Sequence, residues 1–146
     1  MPSKSEHVIA ALTALLKRKA ALPVGASIER NAALPARIPA AGAVIVRDGE
    51  PGEPEVTLSP LAYHYEHRVE VDVIVDRPPG VADEVFDTLK RSIGQAIAAD
   101  RTLDGLCDWI EAEAPAPANI IIEGAEALKA ATIIVVLNYS AADPLG

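Results

Sequence analysis

Over residues 63–76, "YHYEHRVEVDVIVD", polar and apolar positions alternate almost without a break. The odd positions are Tyr63, Tyr65, His67, Val69, Val71, Val73 and Val75. The even positions are His64, Glu66, Arg68, Glu70, Asp72, Ile74 and Asp76. Successive side chains of a strand point to opposite faces, so this pattern predicts one apolar face and one charged face, with Ile74 the exception. A stretch of this length at about 3.3 Å per residue reaches roughly 45 Å. A chain of 146 residues folds to a domain only about 38 Å across. The strand must therefore span its domain, bend, or protrude from it.

A different period governs the start of the chain. Val8, Ile9, Leu12, Leu15 and Leu16 recur at helical spacing. Ser3 and Glu6 have the spacing of a capping box. Lys17, Arg18 and Lys19 fall where cations suit the helix dipole, and Pro23 and Gly25 close the helix. Residues 23–42, "PVGASIERNAALPARIPAAG", read as an extended arm or surface loop, with "ASIER" a candidate edge strand. Pro35 and Pro39 exclude a central strand there. "AVIVR", residues 43–47, is a short strand. "DGEPGEP" is dense in turn formers, and "EVTL" resumes an extended pattern before Ser59-Pro60. Together they predict a protruding hairpin with a long, mobile tip.

"RPPG" breaks the long strand, and a second helix is expected from about Ala82 to Ala99. Val85, Phe86, Leu89, Ile93 and Ile97 lie on one side of it, and Asp83, Glu84 and Asp87 enrich its first turn. Gly94 marks a place of close packing. After a turn at "DRTLDGL", the segment "CDWIEAEA" alternates as a strand. Pro115 and Pro117 interrupt, and "NIIIEG" and "ATIIVVLNYSA" read as apolar strands joined by "AEALKA". Residues Ile133 to Leu137 are apolar on both faces, which predicts a central strand covered on both sides. The tail, 142–146, reads as loose. This order gives a single α+β domain over residues 1–146. It has a mainly antiparallel sheet with two helices packed on it, one long central strand and a protruding hairpin.

Half of the residues are hydrophobic but only 3% are aromatic, so Ala, Val, Ile and Leu must build the core. The net charge of −8 argues against a dedicated nucleic-acid binder, which needs cations to release counterions. It argues equally against docking on an anionic membrane. An acidic surface suits a wall that DNA passes without sticking. The single cysteine, Cys107, excludes an internal disulfide and a multi-thiolate metal site. No apolar run approaches the roughly 18 residues of a membrane span. The basic residues near the N-terminus follow the apolar stretch, the reverse of a signal peptide, so a cytoplasmic protein is expected.

The crowd of titratable groups in residues 63–76 invites a catalytic reading, but period two disperses it. His64 and Glu66 share one face while His67 points to the other, and a catalytic zinc wants three protein ligands. Cys107 sits between Leu106 and Trp109 in a patterned segment, where a free cysteine is a small core hydrophobe. No phosphate-cradling glycine motif and no nucleophile elbow occurs. The "KRK" run at 17–19 has its ordinary place at a helix C-terminus. "DGEPGEPE" lacks the spacing of an EF-hand. No catalytic residue, cofactor or metal is expected. What remains is architectural: a strand too long for its domain, an acidic hairpin and a Pro-rich arm suit a subunit that lends its edges to neighbours.

These patterns resemble the tail terminator, or minor tail, proteins of long-tailed bacteriophages and related tail-like particles or gene transfer agents. The resemblance is carried by the amphipathic N-terminal helix, by "YHYEHRVEVDVIV", and by "DTLKRSIGQAIAADRTLDGLCDWIE" with its "L-x-G-L" turn. The final "ATIIVVLNYSA", ending in Asn-Tyr, completes it, so that it runs from about residue 5 to 141. It implies a non-enzymatic virion protein at the tail end nearest the head. Such a protein forms a homohexameric ring, meets the tail tube protein on one side and the head connector or neck protein on the other, and lets DNA through its channel. The rival expectations are another neck or head-completion component and a cytoplasmic small-ligand-binding module. The expected interface or channel residues are Arg47, Asp48, Glu50, Glu53 and Glu55 in the hairpin tip, and Tyr63, Tyr65, Glu66, Arg68, Glu70 and Asp72 in the long strand. Trp109 is a further candidate anchor beside the two tyrosines, with a place in the core the alternative for all three.

Overall fold

A computed structural model describes residues 2–18, 21–35, 37–117 and 128–146. Helix α1 runs over Lys4–Lys17 and α2 over Pro79–Ala99. The strands are β1 (Ser27–Arg30), β2 (Ala43–Glu50), β3 (Glu55–Leu58), β4 (Leu61–Asp76), β5 (Trp109–Ala112), β6 (Ala116–Pro117) and β7 (Leu128–Ala141). They form one sheet in the order β1-β2-β4-β7-β5, with β3 also on β4 and β6 also on β7. Only β1 and β2 are parallel; the other pairs are antiparallel. The molecule is thus α+β with a mostly antiparallel, mixed sheet. The expected strand "NIIIEG", residues 119–124, lies outside the described residues, as does Lys19.

The long alternating stretch is a single strand, β4, two residues longer than its pattern predicts and central in the sheet. It pairs with β7 along nearly its whole length, from Tyr63 opposite Ala141 to Asp76 opposite Leu128. Its odd residues from Tyr65 to Val75 are all buried, and they meet Val44, Val46, Ile133, Val135 and Leu137 on the same face. Onto this face α1 places Val8, Ile9, Leu12, Leu15 and Leu16, and α2 places Phe86, Leu89, Ile93 and Ile97. Each such side chain, fully buried, stabilises by about 1.5–3 kcal/mol.

Several local expectations need correction. α1 ends at Lys17, well before Pro23, with the Arg18 N–H returning to the Leu15 carbonyl. Its capping box is half made. The Ser3 hydroxyl accepts from the Glu6 N–H, but the Glu6 carboxylate is drawn to Arg30 instead of its own backbone. α2 starts at Pro79 rather than Ala82, because proline suits the first helical position, where its missing N–H is not needed. Its first turn therefore holds no acidic residue. A Cβ built at Gly94 would meet nothing within 4 Å, so close packing does not explain that glycine.

The hairpin is built differently from the expectation. β2 does not stop at Arg47 but continues to Glu50, with a bulge between Arg47 and Glu50. Both β2 and β3 pair with β4, so residues 51–54 join two strands laid end to end along one side of β4. The tight turn lies instead at Ser59-Pro60, a cis peptide, between Leu58 and its partner Leu61. "ASIER" does contain an edge strand, β1, inside the supposed arm. Its parallel pairing with β2 requires the chain between them to cross over the sheet. Finally, β7 is interior to the sheet but covered on one face only. Ile133, Val135 and Leu137 are buried, while Ile134 and Val136 stay half-buried on the other side.

A charged sheet face as the candidate functional site

The face of the sheet away from the helices collects the even residues of β4. Register brings onto it Arg47 and Glu50 from β2, Glu55 from β3, and Trp109 and Glu111 from β5. Glu113 joins them by pairing with Arg68. The strands and Glu113 bring to the face nine carboxylates (Glu29, Glu50, Glu55, Glu66, Glu70, Asp72, Asp76, Glu111 and Glu113) and two guanidiniums, Arg47 and Arg68. Most of the chain's net charge of −8 therefore resides on one side of the sheet.

Two ion pairs order this face. Asp72 is buried and accepts from Arg47 Nε at 2.6 Å and from the Thr132 hydroxyl at 2.7 Å. Beside it Ala43, Ile45 and Ile74 are also buried, which accounts for the apolar exception in the alternating pattern. Arg68 makes a two-pronged contact with Glu113, at 2.6 and 2.9 Å, which holds the Glu113 carboxyl below the ordinary range and raises the guanidinium. Both partners are half-exposed, so this pair adds little stability. Among the described residues, Glu50, Glu53, Glu55, Glu66 and Glu70 have no cation within 4 Å. The negative potential they create is left standing.

At one end of the face, Glu53, Glu55, His64, Glu66, Asp108 and Asn138 border an open groove of about 470 Å³. His64 spans three strands there: its Nδ1 meets the Ser140 hydroxyl at 2.6 Å and its Nε2 the Thr57 hydroxyl at 3.0 Å. His67 is buried on the opposite face, as the period requires. Its Nε2 lies 2.6 Å from the Asp48 carbonyl, which can only accept, so Nε2 carries the proton. Nδ1 then accepts from the Tyr139 hydroxyl at 2.8 Å, and the neutral ring is fully used. Burial lowers the His67 pKa below its ordinary value and pushes the Tyr139 phenol up to about 12. Burial likewise pushes the Cys107 thiol up to about 11, in keeping with a core residue. Among the described residues, no three His, Cys, Asp or Glu side chains come together to hold a metal ion.

The expected site residues thus fall into three groups. Arg47, Glu50, Glu55, Glu66, Arg68, Glu70 and Asp72 share the charged face, and Glu53 rims its groove. Asp48 does not join them. Its carboxylate is held by Arg30 at 2.9 Å and Asn31 at 3.0 Å, and Arg30 in turn grips Glu6, tying β2 to β1 and α1. Tyr65 is no exposed anchor: it is buried and stacks on Tyr139 with ring centroids 5.6 Å apart. Tyr63 is half-buried at the edge of the core. Trp109 is 47% exposed, with the Arg101 guanidinium 5.1 Å from its ring. Glu111 and Glu113 were not anticipated on this face. The alternation of "CDWIEAEA" carried the signal, since it puts Trp109, Glu111 and Glu113 on one side.

No protein-family model matches this chain, and no curated protein matches it. No helix among the described residues is long and apolar enough to cross a membrane.

Proposed function

We propose that this chain is a structural virion protein that caps the tail tube as a ring, stops tail growth and forms the joint to the head connector. The observation that supports this reading best is the two-sided sheet. One face carries the helices and core; the other carries nine carboxylates against two guanidiniums from its strands. A surface of that sign repels the DNA backbone and suits the wall of a channel through which DNA passes unbound. Glu66 and Glu70, at the middle of β4, are the residues assigned to that wall. The partners in this reading are further copies of the chain in a hexameric ring, the tail tube protein and the neck or connector protein. Neither catalysis nor a cofactor is part of it.

Particles assembled without the chain provide the test. Loss of a terminator gives overlong tails. Normal-length tails detached from heads assign the chain to a neck component instead.

A further inference from the structure

Strands β1, β3, β5 and β6 stand at the outer edges of the described sheet, and three of these edges are guarded against further pairing. On β1, Glu29 and Arg30 are two of the four residues, and charges on an edge oppose the addition of a strand. On β5, Arg101 takes both backbone groups of Ile110. Its carbonyl accepts from the Ile110 N–H at 2.8 Å, and its guanidinium donates to the Ile110 carbonyl at 3.0 Å. β6 is two residues long and ends in Pro117, which has no N–H to offer.

The edge of β3 differs. After Glu55 at its start, residues 56–63, "VTLSPLAY", carry no charge. The outer side of β3 has no partner among the described strands, which leaves backbone donors and acceptors open. Val56 lies opposite Tyr63 and Leu58 opposite Leu61, so the four continue the apolar face of β4. That continuation is uncovered: Leu58 is 81% exposed, Leu61 49% and Val56 46%.

We propose that β3 pairs antiparallel with β3 of a second copy, about a two-fold axis at Thr57. An open backbone edge is matched by another extended edge, and β3 is the edge this chain leaves unguarded, so a second copy offers β3 in return. Centred on Thr57, the pairing sets Val56 opposite Leu58 of the second copy, and Leu58 opposite its Val56. The two exposed apolar strips then join on one face. Each Glu55 faces Ser59 of the other copy. The two glutamates stand four residues, or about 13 Å, apart along the strands, beyond the screening length of about 8 Å at physiological salt. Centring on Val56 would bring them within about 7 Å and waste Leu58 on Pro54; centring on Leu58 would run Val56 into the turn at Pro60. Two molecules of net charge −8 thus meet at an uncharged segment. A two-fold contact closes after two copies, so it lies apart from the contacts between neighbours in a ring and does not rest on that reading. It also hides an edge that would otherwise template aggregation.

The interface is small and the pairing weak, so sedimentation of the full chain at about 100 μM is expected to show dimers in exchange with monomers. Leu58→Lys, at an exposed position, should weaken the dimer at least about tenfold with circular dichroism unchanged. Oxidation with diamide tests the register. Thr57→Cys should give a disulfide-linked dimer, because a two-fold axis sets residue 57 against itself. Val56→Cys and Leu58→Cys should link to each other when mixed and poorly when each is alone. The buried Cys107 takes no part. If loss of the Thr57 hydroxyl disturbs the hairpin, the mixed pair carries the register test. An unaltered chain that is monomeric up to about millimolar concentration, a dimer that Leu58→Lys leaves intact, or equal cross-linking of the three cysteine variants alone would overturn the contact. A ring indifferent to Leu58→Lys, with no dimer lost, overturns this contact and spares the cap; normal tails made without the chain overturn the cap and spare the dimer.

Discussion

Gly49 sits in the β2 bulge with φ +63, and a Cβ built there would lie 1.9 Å from the Arg68 carbonyl oxygen. Both the left-handed backbone and the missing side chain are needed for β2 to stay on β4 and to aim the Asp48 carbonyl at His67. Gly49→Ala is expected to cost more than about 2 kcal/mol, read as a lower urea midpoint at unchanged slope. A midpoint equal to that of the unaltered chain would show that the bulge adapts. His67 makes a second residue-scale prediction. Its pKa in the fold lies below the ordinary 6.5, chiefly through burial. As pH falls through about 6.5 the unfolded chain binds a proton that the fold resists, so the stability His67 contributes is complete above that value. It declines as pH drops through it and levels off below the depressed value in the fold. Urea unfolding at about pH 7.5 and 5.5 should show a flatter pH response for His67→Gln than for the unaltered chain. Equal slopes would contradict this.

At the scale of elements, helix α2 offers a simple gain. Gly94 is exposed, has no positive φ and has open space where a Cβ would go. Gly94→Ala should stabilise by about 0.5–1 kcal/mol, raising Tm in calorimetry; a lower Tm would reveal a role for the glycine beyond the helix. The elements also show how far sequence patterns reach. Period two in β4 disclosed its length and both its faces, because a half-buried strand must alternate. The helices were legible from their apolar stripes, but Pro78 and Pro79 masked the start of α2, since proline looks like a breaker and serves here as an opener. The course of β2 past Arg47 was illegible because "DGEPGEP" has turn composition, and only a long-range pairing with β4 makes its first residues a strand. For the same reason Asp48 looked like a free tip carboxylate, whereas its ties to Arg30 and Asn31 bridge 18 and 17 residues of sequence. The charged face itself could be read from β4, but the contributions of β5 depend on register with β7.

For the whole molecule, the separation of charge from core is the feature on which the proposed channel wall rests. Glu66→Lys with Glu70→Lys should leave tail length and particle yield unchanged, because neither side chain is buried or ion-paired. DNA delivery should fall, as a cationic wall holds the backbone that an acidic one releases. Normal delivery, or a structure of the assembled ring with these carboxylates on its outer surface, would remove the face from the channel. The proposed role of the chain as a cap is tested most directly by tail length. Electron microscopy of particles made in its absence is predicted to show tails of uncontrolled, excessive length that shorten to a single value when the chain is restored. Tails of normal, uniform length without it would contradict the account.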